Sequence, residues 1–285
     1  MGGKTFSLVV NLDTREGFLS GTSEADMMGK GVRSIDFILD GLQNRLNFFR
    51  DLNLEVTLFV DLIEPLPSFV HENLIQKLQE SEIDNLVIHT HSEFFDKDDF
   101  FPHWLDLNFL QALFLARGEY LIHTDGDLAL FSKVHSELKE WVDLLDRGIY
   151  DYVSYPTVFS PYPDPDLTWE YNWASTRFFI CRRETIQFSE VLKCLQNSDY
   201  LYSKYGDKKR KCPWLEHILG IIAGKNRVYY PPRKDNQYLI FCWGKYQRGL
   251  LSKLNKLSFD EVKDLVDSWG GIQNPCEVYP TGGSI

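Results

Sequence analysis

The sequence predicts an α/β protein built on a mainly parallel sheet, and three observations carry that reading. Short apolar runs at residues 5–11 (TFSLVVN), 56–60 (VTLFV), 86–88 and 120–122 are flanked by polar residues, the pattern of strands buried on both faces. Between the first two, Ile35, Ile38, Leu39, Leu42, Leu46 and Phe49 recur at the spacing of one apolar helical face. The chain's 285 residues, 44% hydrophobic and 14% aromatic, suffice for one large core or two tightly fused lobes. Strands alternating with helices imply βαβ units with right-handed crossovers, and ligands of such sheets sit at the carboxyl ends of the strands.

The second half is less regular. A helix is expected over residues 133–146, with Val134, Leu138, Trp141, Val142 and Leu145 on one face and Ser132 placed to cap it. An extended stretch at 152–159, a proline-rich turn at 161–165, a strand near 177–182 and a helix over 184–196 follow. A polar loop at 198–211 then leads to a helix opening near Pro213. Ser258-Phe-Asp-Glu261 reads as a capping box for a last short helix, and the residues from Gly270 read as a loose tail.

A formal net charge of -11 excludes an ordinary nucleic-acid binder, which needs a basic face to neutralise phosphate. Five scattered cysteines without Cys-x-x-Cys spacing read as reduced thiols, so a cytoplasmic setting is expected. The first residues carry no signal-peptide pattern, and Phe6 stands where a myristoylation motif wants Ser or Thr. No apolar run reaches the ~18 residues of a membrane span.

The chemistry-bearing segment runs from Asn108 through Ala116-Arg-Gly118-Glu119-Tyr120-Leu-Ile-His-Thr to Asp125-Gly126-Asp127. It reads as a helix stopped by Gly118, a strand, and two carboxylates at the strand's end separated by a glycine that lets a ligand approach the backbone. Two carboxylates beside a diphosphate would repel it by roughly 4 kcal/mol per charge pair at about 4 Å and an effective dielectric near 20. A divalent cation held by Asp125 and Asp127, Mn²⁺ or Mg²⁺, reverses that sign by joining carboxylate to phosphate oxygens. The other reading of the pair is a simple acidic turn.

On these residues the chain resembles the GT-A glycosyltransferases, in particular the large inverting family 2 type. Asn108, Ala116, Gly118, Glu119, Tyr120, Asp125 and Asp127 fall in register with that pattern. The resemblance implies a GT-A-type three-layer α/β/α domain spanning 1–285. Residues 1–130 would bind the nucleotide sugar, and 131–285 would carry the acceptor side. It also implies donor contacts from Asn11, Asp13, Arg15, Asp61, Asp125 and Gly126, with Asp61 facing the base. It implies a general base at the start of a downstream helix, where Pro213-Trp-Leu-Glu216-His217 makes Glu216 the candidate. A third metal ligand comes from His217 or from water. The partners are then a nucleotide sugar donor and a glycan or other hydroxyl acceptor.

Each of these positions has a plainer reading beside it. Asp13 and Asp61 also read as polar strand ends, and Glu216 as a first-turn glutamate favoured by the helix dipole. His89-Thr-His91 reads as a metal pair or a polar strand end, since alternation puts both residues on one side of a strand. Trp169, Tyr171 and Trp173 read as an acceptor platform or as core, and Lys204–Lys211 as a loop over the diphosphate or as solvated charge. Arg33, Arg233, Lys234, Lys245 and Arg248 read as phosphate clamps or as surface charge. The alternative enzyme is a sugar nucleotidyltransferase, whose glycine-rich loop after the first strand is replaced here by Asn11-Leu-Asp-Thr-Arg15. A non-catalytic glycan- or protein-binding module on the same fold is the other.

Overall fold

The structure is a computed structural model that describes residues 3–13, 15–16, 31–32, 35–49, 51–63, 75–80, 83–91, 104–125, 128–132, 134–154, 174, 178–205, 215–224, 226–229 and 237–241, with single positions at 261 and 264. For 11–13, 15–16, 31–32, 35–38, 40, 60–63, 89–91, 104–108, 125, 128–132, 134–136 and 237–241, what is described is the backbone alone. The expected capping box and tail lie outside the described residues except at Glu261 and Asp264.

In chain order the strands are β1 (Phe6–Asp13), β2 (Arg15–Glu16), β3 (Gly31–Val32), β4 (Leu54–Ile63), β5 (Asn85–His91), β6 (Tyr120–Asp125), β7 (Leu128–Ser132), β8 (Tyr152–Ser154), β9 (Phe178–Arg182), β10 (Val228–Tyr229) and β11 (Gln237–Phe241). The helices are α1 (Ile35–Phe49), α2 (Trp104–Leu115), α3 (Val134–Asp146), α4 (Phe188–Gln196), α5 (Ser198–Tyr205) and α6 (Leu215–Ala223). Seven strands form the central sheet in the order β10-β8-β9-β6-β1-β4-β5. β5, β4, β1 and β6 are mutually parallel, and β10 is parallel to β8. β9 lies antiparallel to both its neighbours and is the one reversed strand of the seven.

Strand alternation divides the core into two layers. Phe6, Leu8 and Val10 of β1, with Tyr120, Ile122, Phe178 and Ile180, pack against Leu42 and Phe49 of α1 and Trp141 of α3. Val9, Phe59, Leu121 and Phe179 face the other way, against Phe109 and Leu113 of α2 and the apolar sides of α4, α5 and α6. The result is the three-layer α/β/α arrangement with a mainly parallel sheet that the sequence predicts. The step from β1 to β4 and the step from β5 to β6 cross the sheet in opposite directions. Right-handed crossovers therefore put α1 and α2 on opposite faces, as they are found.

The amino ends of the strands are locked by a partly buried polar latch. Gly118 N donates to Ser7 Oγ at 2.6 Å, and Ser7 Oγ in turn donates to the Glu55 carboxylate. The same carboxylate accepts from Arg117 N at 2.7 Å and from Asn85 Nδ2 at 3.1 Å. Burial opposes ionisation of Glu55, but the bonds from Ser7, Arg117 and Asn85 outweigh it and hold its pKa below the usual carboxylate value. The stabilisation is thus complete above the unfolded-state pKa and is lost as pH falls through the lower folded-state value. Urea melts between pH 6 and pH 3 should show a steeper loss of stability for the parent than for Glu55→Gln. Parallel curves would remove the latch from the acid response.

Two local expectations are corrected. Residues 198–205 are helical rather than part of a polar loop, because Asn197 Oδ1 caps α5 by accepting the Tyr200 amide at 3.0 Å. The polar side chains of α5 are also partnered: Lys204 Nζ (2.6 Å), Tyr200 Oη (2.9 Å) and Tyr205 Oη (3.0 Å) all donate to the Glu190 carboxylate of α4. The adjacent Lys204 ammonium, followed by the two hydroxyls, holds the Glu190 pKa below its usual value. The helix expected from 184 starts at Phe188 instead, after a single 3-10 turn over Arg183–Thr185. Ile186 interrupts it with extended backbone (φ -76°, ψ 107°) and buries its side chain in the second core layer.

Candidate active site

β1 sits between β4, which the chain enters next, and β6, reached only after crossing back from β5. That reversal makes the carboxyl ends of β1 and β6 the topological switch point of the sheet, where open α/β sheets place their ligands. The strand register brings the predicted residues to this edge. Asn11 pairs with Asp125 across β1 and β6, and Asp13 pairs with Asp61 across β1 and β4. Neighbouring strands lie about 4.8 Å apart, so the Asn11 and Asp125 backbones are adjacent and Asp61 is roughly 10 Å from β6. Acidic residues are costly in the covered middle of such a sheet, and these begin where the apolar pairs end.

Arg15 follows in β2, paired with Val32 of β3, two residues beyond the end of β1. Gly126 and Asp127 lie outside the described residues, in the two-residue step between β6 and β7. Past that step the chain leaves the main sheet: β7 pairs antiparallel with β11, Leu128 opposite Phe241. The Asp-x-Asp segment is thus the junction of two sheets. The β7–β11 pair was not foreseen from sequence, and its signal is the apolar content of LALFS and QYLIF.

The extended motif divides into two jobs. Its first half anchors the opposite, amino-terminal pole. Ala116 is buried, and its carbonyl, with that of Phe114, accepts from the Arg183 guanidinium at 2.7 and 3.0 Å, closing the end of α2. The Glu119 amide donates to Thr5 Oγ1 at 3.1 Å, and its carbonyl accepts from Arg183 N at 2.9 Å. Tyr120 Oη donates to Asp146 and accepts from Lys4 Nζ at 2.7 Å. Burial, then the Asp146 carboxylate, pushes the Tyr120 phenol up to about 12. Of the motif's described residues, Asp125 alone lies at the carboxyl end of β6.

A residue the motif reading missed lies just beneath that edge. His123 is fully buried two residues before Asp125, and its Nδ1 lies 2.9 Å from the Val9 carbonyl oxygen. Phe109 and Phe179 flank the ring, with centroids at 4.0 and 5.4 Å. An Nδ1–H donating to Val9 ties β6 to β1 directly below the Asn11 and Asp125 pair. The available signal was a histidine directly after the apolar pair Leu121-Ile122 and inside the strand.

Glu216 and His217 occupy the first turn of α6, whose Leu215, Ile218 and Leu219 belong to the second core layer. Glu216 is half-buried and His217 buried, as the ~100° step between consecutive helical residues requires of neighbours facing different directions. The Glu216 carbonyl accepts from Ala174 N at 3.3 Å. Four residues on, Phe178 pairs with Thr124, the neighbour of Asp125, and Ser154 Oγ donates to the Phe178 carbonyl at 3.0 Å. Four extended residues span at most about 14 Å, so this segment ties the α6 first turn to the end of β6.

Lys204 is engaged by Glu190 and is not a loop cation. Residues 206–211, Arg33, Trp169, Tyr171, Trp173, Arg233, Lys234, Lys245 and Arg248 lie outside the described residues. Among the described residues, no group of three or more His, Cys, Asp or Glu forms a metal cluster, and no helix is long and apolar enough to cross a membrane.

No family model matches the chain, and no curated protein sequence does. Several solved structures overlap it in shape. The galactosyltransferase LgtC, in complex with donor and acceptor sugar analogues, superposes with a TM-score of 0.45 at 9% identity, over 79% of this chain and 72% of that one. A cytidylyltransferase from Leptospira borgpetersenii serovar Hardjo-bovis gives 0.42 at 14% identity, over 93% and 94%. S. aureus TarS 1–349 gives 0.38 at 14%, over 92% and 69%.

Proposed function

We propose that the protein is a metal-dependent glycosyltransferase that moves a sugar from a nucleotide diphosphate sugar to an acceptor hydroxyl. The observation that carries the reading is the register of the strand ends, which puts Asp125 beside Asn11 at the switch point. Asp125 and Asp127, with His217 as the candidate third side chain, would hold Mn²⁺ or Mg²⁺. Such an ion would supply positive charge against the departing nucleotide diphosphate. Asn11, Asp13, Arg15, Asp61 and Gly126 line the donor side. Glu216 takes the proton of the acceptor hydroxyl as that oxygen bonds to the anomeric carbon. The bond to the diphosphate breaks with its electron pair on the phosphate oxygen, so a single displacement inverts the sugar's configuration.

The test is a thermal-shift screen of UDP-, GDP- and dTDP-sugars, with CTP and UTP beside them, each with Mn²⁺, Mg²⁺ or EDTA. A ligand at about 100 times its dissociation constant should add about 2.7 kcal/mol of stability. The reading requires a metal-dependent shift with a nucleotide sugar that disappears in Asp125→Ala/Asp127→Ala. A shift with a nucleoside triphosphate and with no nucleotide sugar would replace it with nucleotidyl transfer. No shift with any of them would leave a binding module.

A further inference from the structure

We infer that His123 is a positioning residue for the proposed donor site, holding the end of β6 against the end of β1 through one buried hydrogen bond. The inference rests on Asp125 being a metal ligand. The His123 ring is fully buried, with Nδ1 2.9 Å from the Val9 carbonyl oxygen. A carbonyl oxygen only accepts, so Nδ1 carries the hydrogen. Val9 is also the register partner of His123, and two residues on along both strands Asn11 pairs with Asp125. The bond thus crosses between the strands immediately before the level at which the ion would be held.

Packing does not call for a histidine at this place. Its register partners are Val9 on β1 and Phe179 on β9, both fully buried, and Phe109 of α2 lies against the ring at a centroid distance of 4.0 Å. An apolar side chain would fill the same space with no buried polar group to satisfy. What the imidazole adds is a tie from its own strand to the main chain of the next, placed where β6 loses a neighbour. Among the described residues, β9 pairs with β6 only as far as Thr124, opposite Phe178. At Asp125 the described pairing is with β1 alone, so the placing of that backbone depends on the β1–β6 contact that His123 reinforces. Ligand geometry has to be kept to within about 0.5 Å, a tolerance that a loosened strand end exceeds.

Two substitutions in the full chain separate the bond from the packing. His123→Phe keeps a flat ring beside Phe109 and Phe179 and loses the donor. His123→Asn loses the ring but keeps an N–H at the same number of bonds from the backbone as Nδ1. The readout is calorimetric titration of Mn²⁺ into each chain with UDP, GDP, dTDP or CDP present and the ion–nucleotide heat subtracted, beside melting curves without ligand. His123→Phe should bind Mn²⁺ at least about 10-fold more weakly, the loss caused by removing a group outside the ligand shell, while melting near the parent. His123→Asn should melt lower and keep the parent's affinity. Undiminished binding by His123→Phe overturns the inference alone. An Asn variant that binds as weakly as His123→Phe also overturns it, by assigning the loss to the ring. Should His123→Phe fail to fold, His123→Asn decides by itself: the parent's affinity supports the bond, and a weakened one removes it. A parent that binds no Mn²⁺ with any of the nucleotides overturns the metal reading of Asp125, and this inference with it.

Discussion

Glu216→Gln should lower the turnover of sugar transfer by about 10²–10⁴-fold, the contribution of a positioned general base, while leaving nucleotide binding unchanged. The substitution is clean because the α6 tether runs through the Glu216 main-chain carbonyl and survives any change of side chain. Gln keeps the size and loses the ability to take a proton. Steady-state transfer assays should therefore show a fall in turnover with little change in the donor's KM, and the thermal shift with the nucleotide sugar should match the parent's. Undiminished transfer would remove Glu216 from the mechanism without touching the metal assignment. Loss of the thermal shift together with transfer would instead place Glu216 in donor binding.

Gly118→Ala should be the most destabilising single-methyl change in the described core. A Cβ there would lie 2.4 Å from Ser7 N and 2.6 Å from Phe6 C, and both are backbone atoms of β1. No rotamer change relieves that overlap, so the α2–β6 corner must move away from the sheet. The shift would also stretch the bonds from Gly118 N to Ser7 Oγ and from Arg117 N to Glu55. Overpacking of this kind costs about 3 kcal/mol. At about 2–4 °C per kcal/mol for a chain of this size, calorimetry should record a fall of roughly 6–12 °C. Ser7→Gly should not rescue it, because the nearest atoms are main chain. A melting point within about 2 °C of the parent's would mean that β1 yields easily and that the close approach has no energetic weight.

The apolar middles of β1, β4, β5 and β6 were legible because strands buried on both faces leave unbroken hydrophobic runs. Their carboxyl ends were not. β4 runs on to Ile63 and β5 to His91, well past the apolar stretches at 56–60 and 86–88, because parallel pairing continues where core packing has stopped. Hydropathy cannot see those polar extensions, and they carry Asp61, His89 and His91. α5 was hidden for a related reason: Tyr200, Lys204 and Tyr205 look solvated in sequence and prove to be partners of one carboxylate.

At the site, Asp125 was legible from motif spacing, and the register then set it beside Asn11. His123 was not, since a lone histidine inside a strand carries no pattern of its own. Much of the motif that carries the resemblance has a structural explanation. Ala116, Gly118 and Tyr120 answer to the mechanics of the amino-terminal pole, where close approach and buried hydrogen bonds restrict the choice of residue.

The single reversed strand has a consequence for how this protein can change. Because β9 runs against its neighbours, its beginning, not its end, meets the carboxyl end of β6, with Phe178 beside Thr124. Residues added before Phe178 would lengthen the chain between Ala174, bonded to the first turn of α6, and the end of β6, and so alter the gap between the two. Residues added after Arg182 fall at the far pole and leave that gap untouched. Loop length on one side of β9 therefore sets how far the first turn of α6 sits from the end of β6, and on the other side it is free to drift.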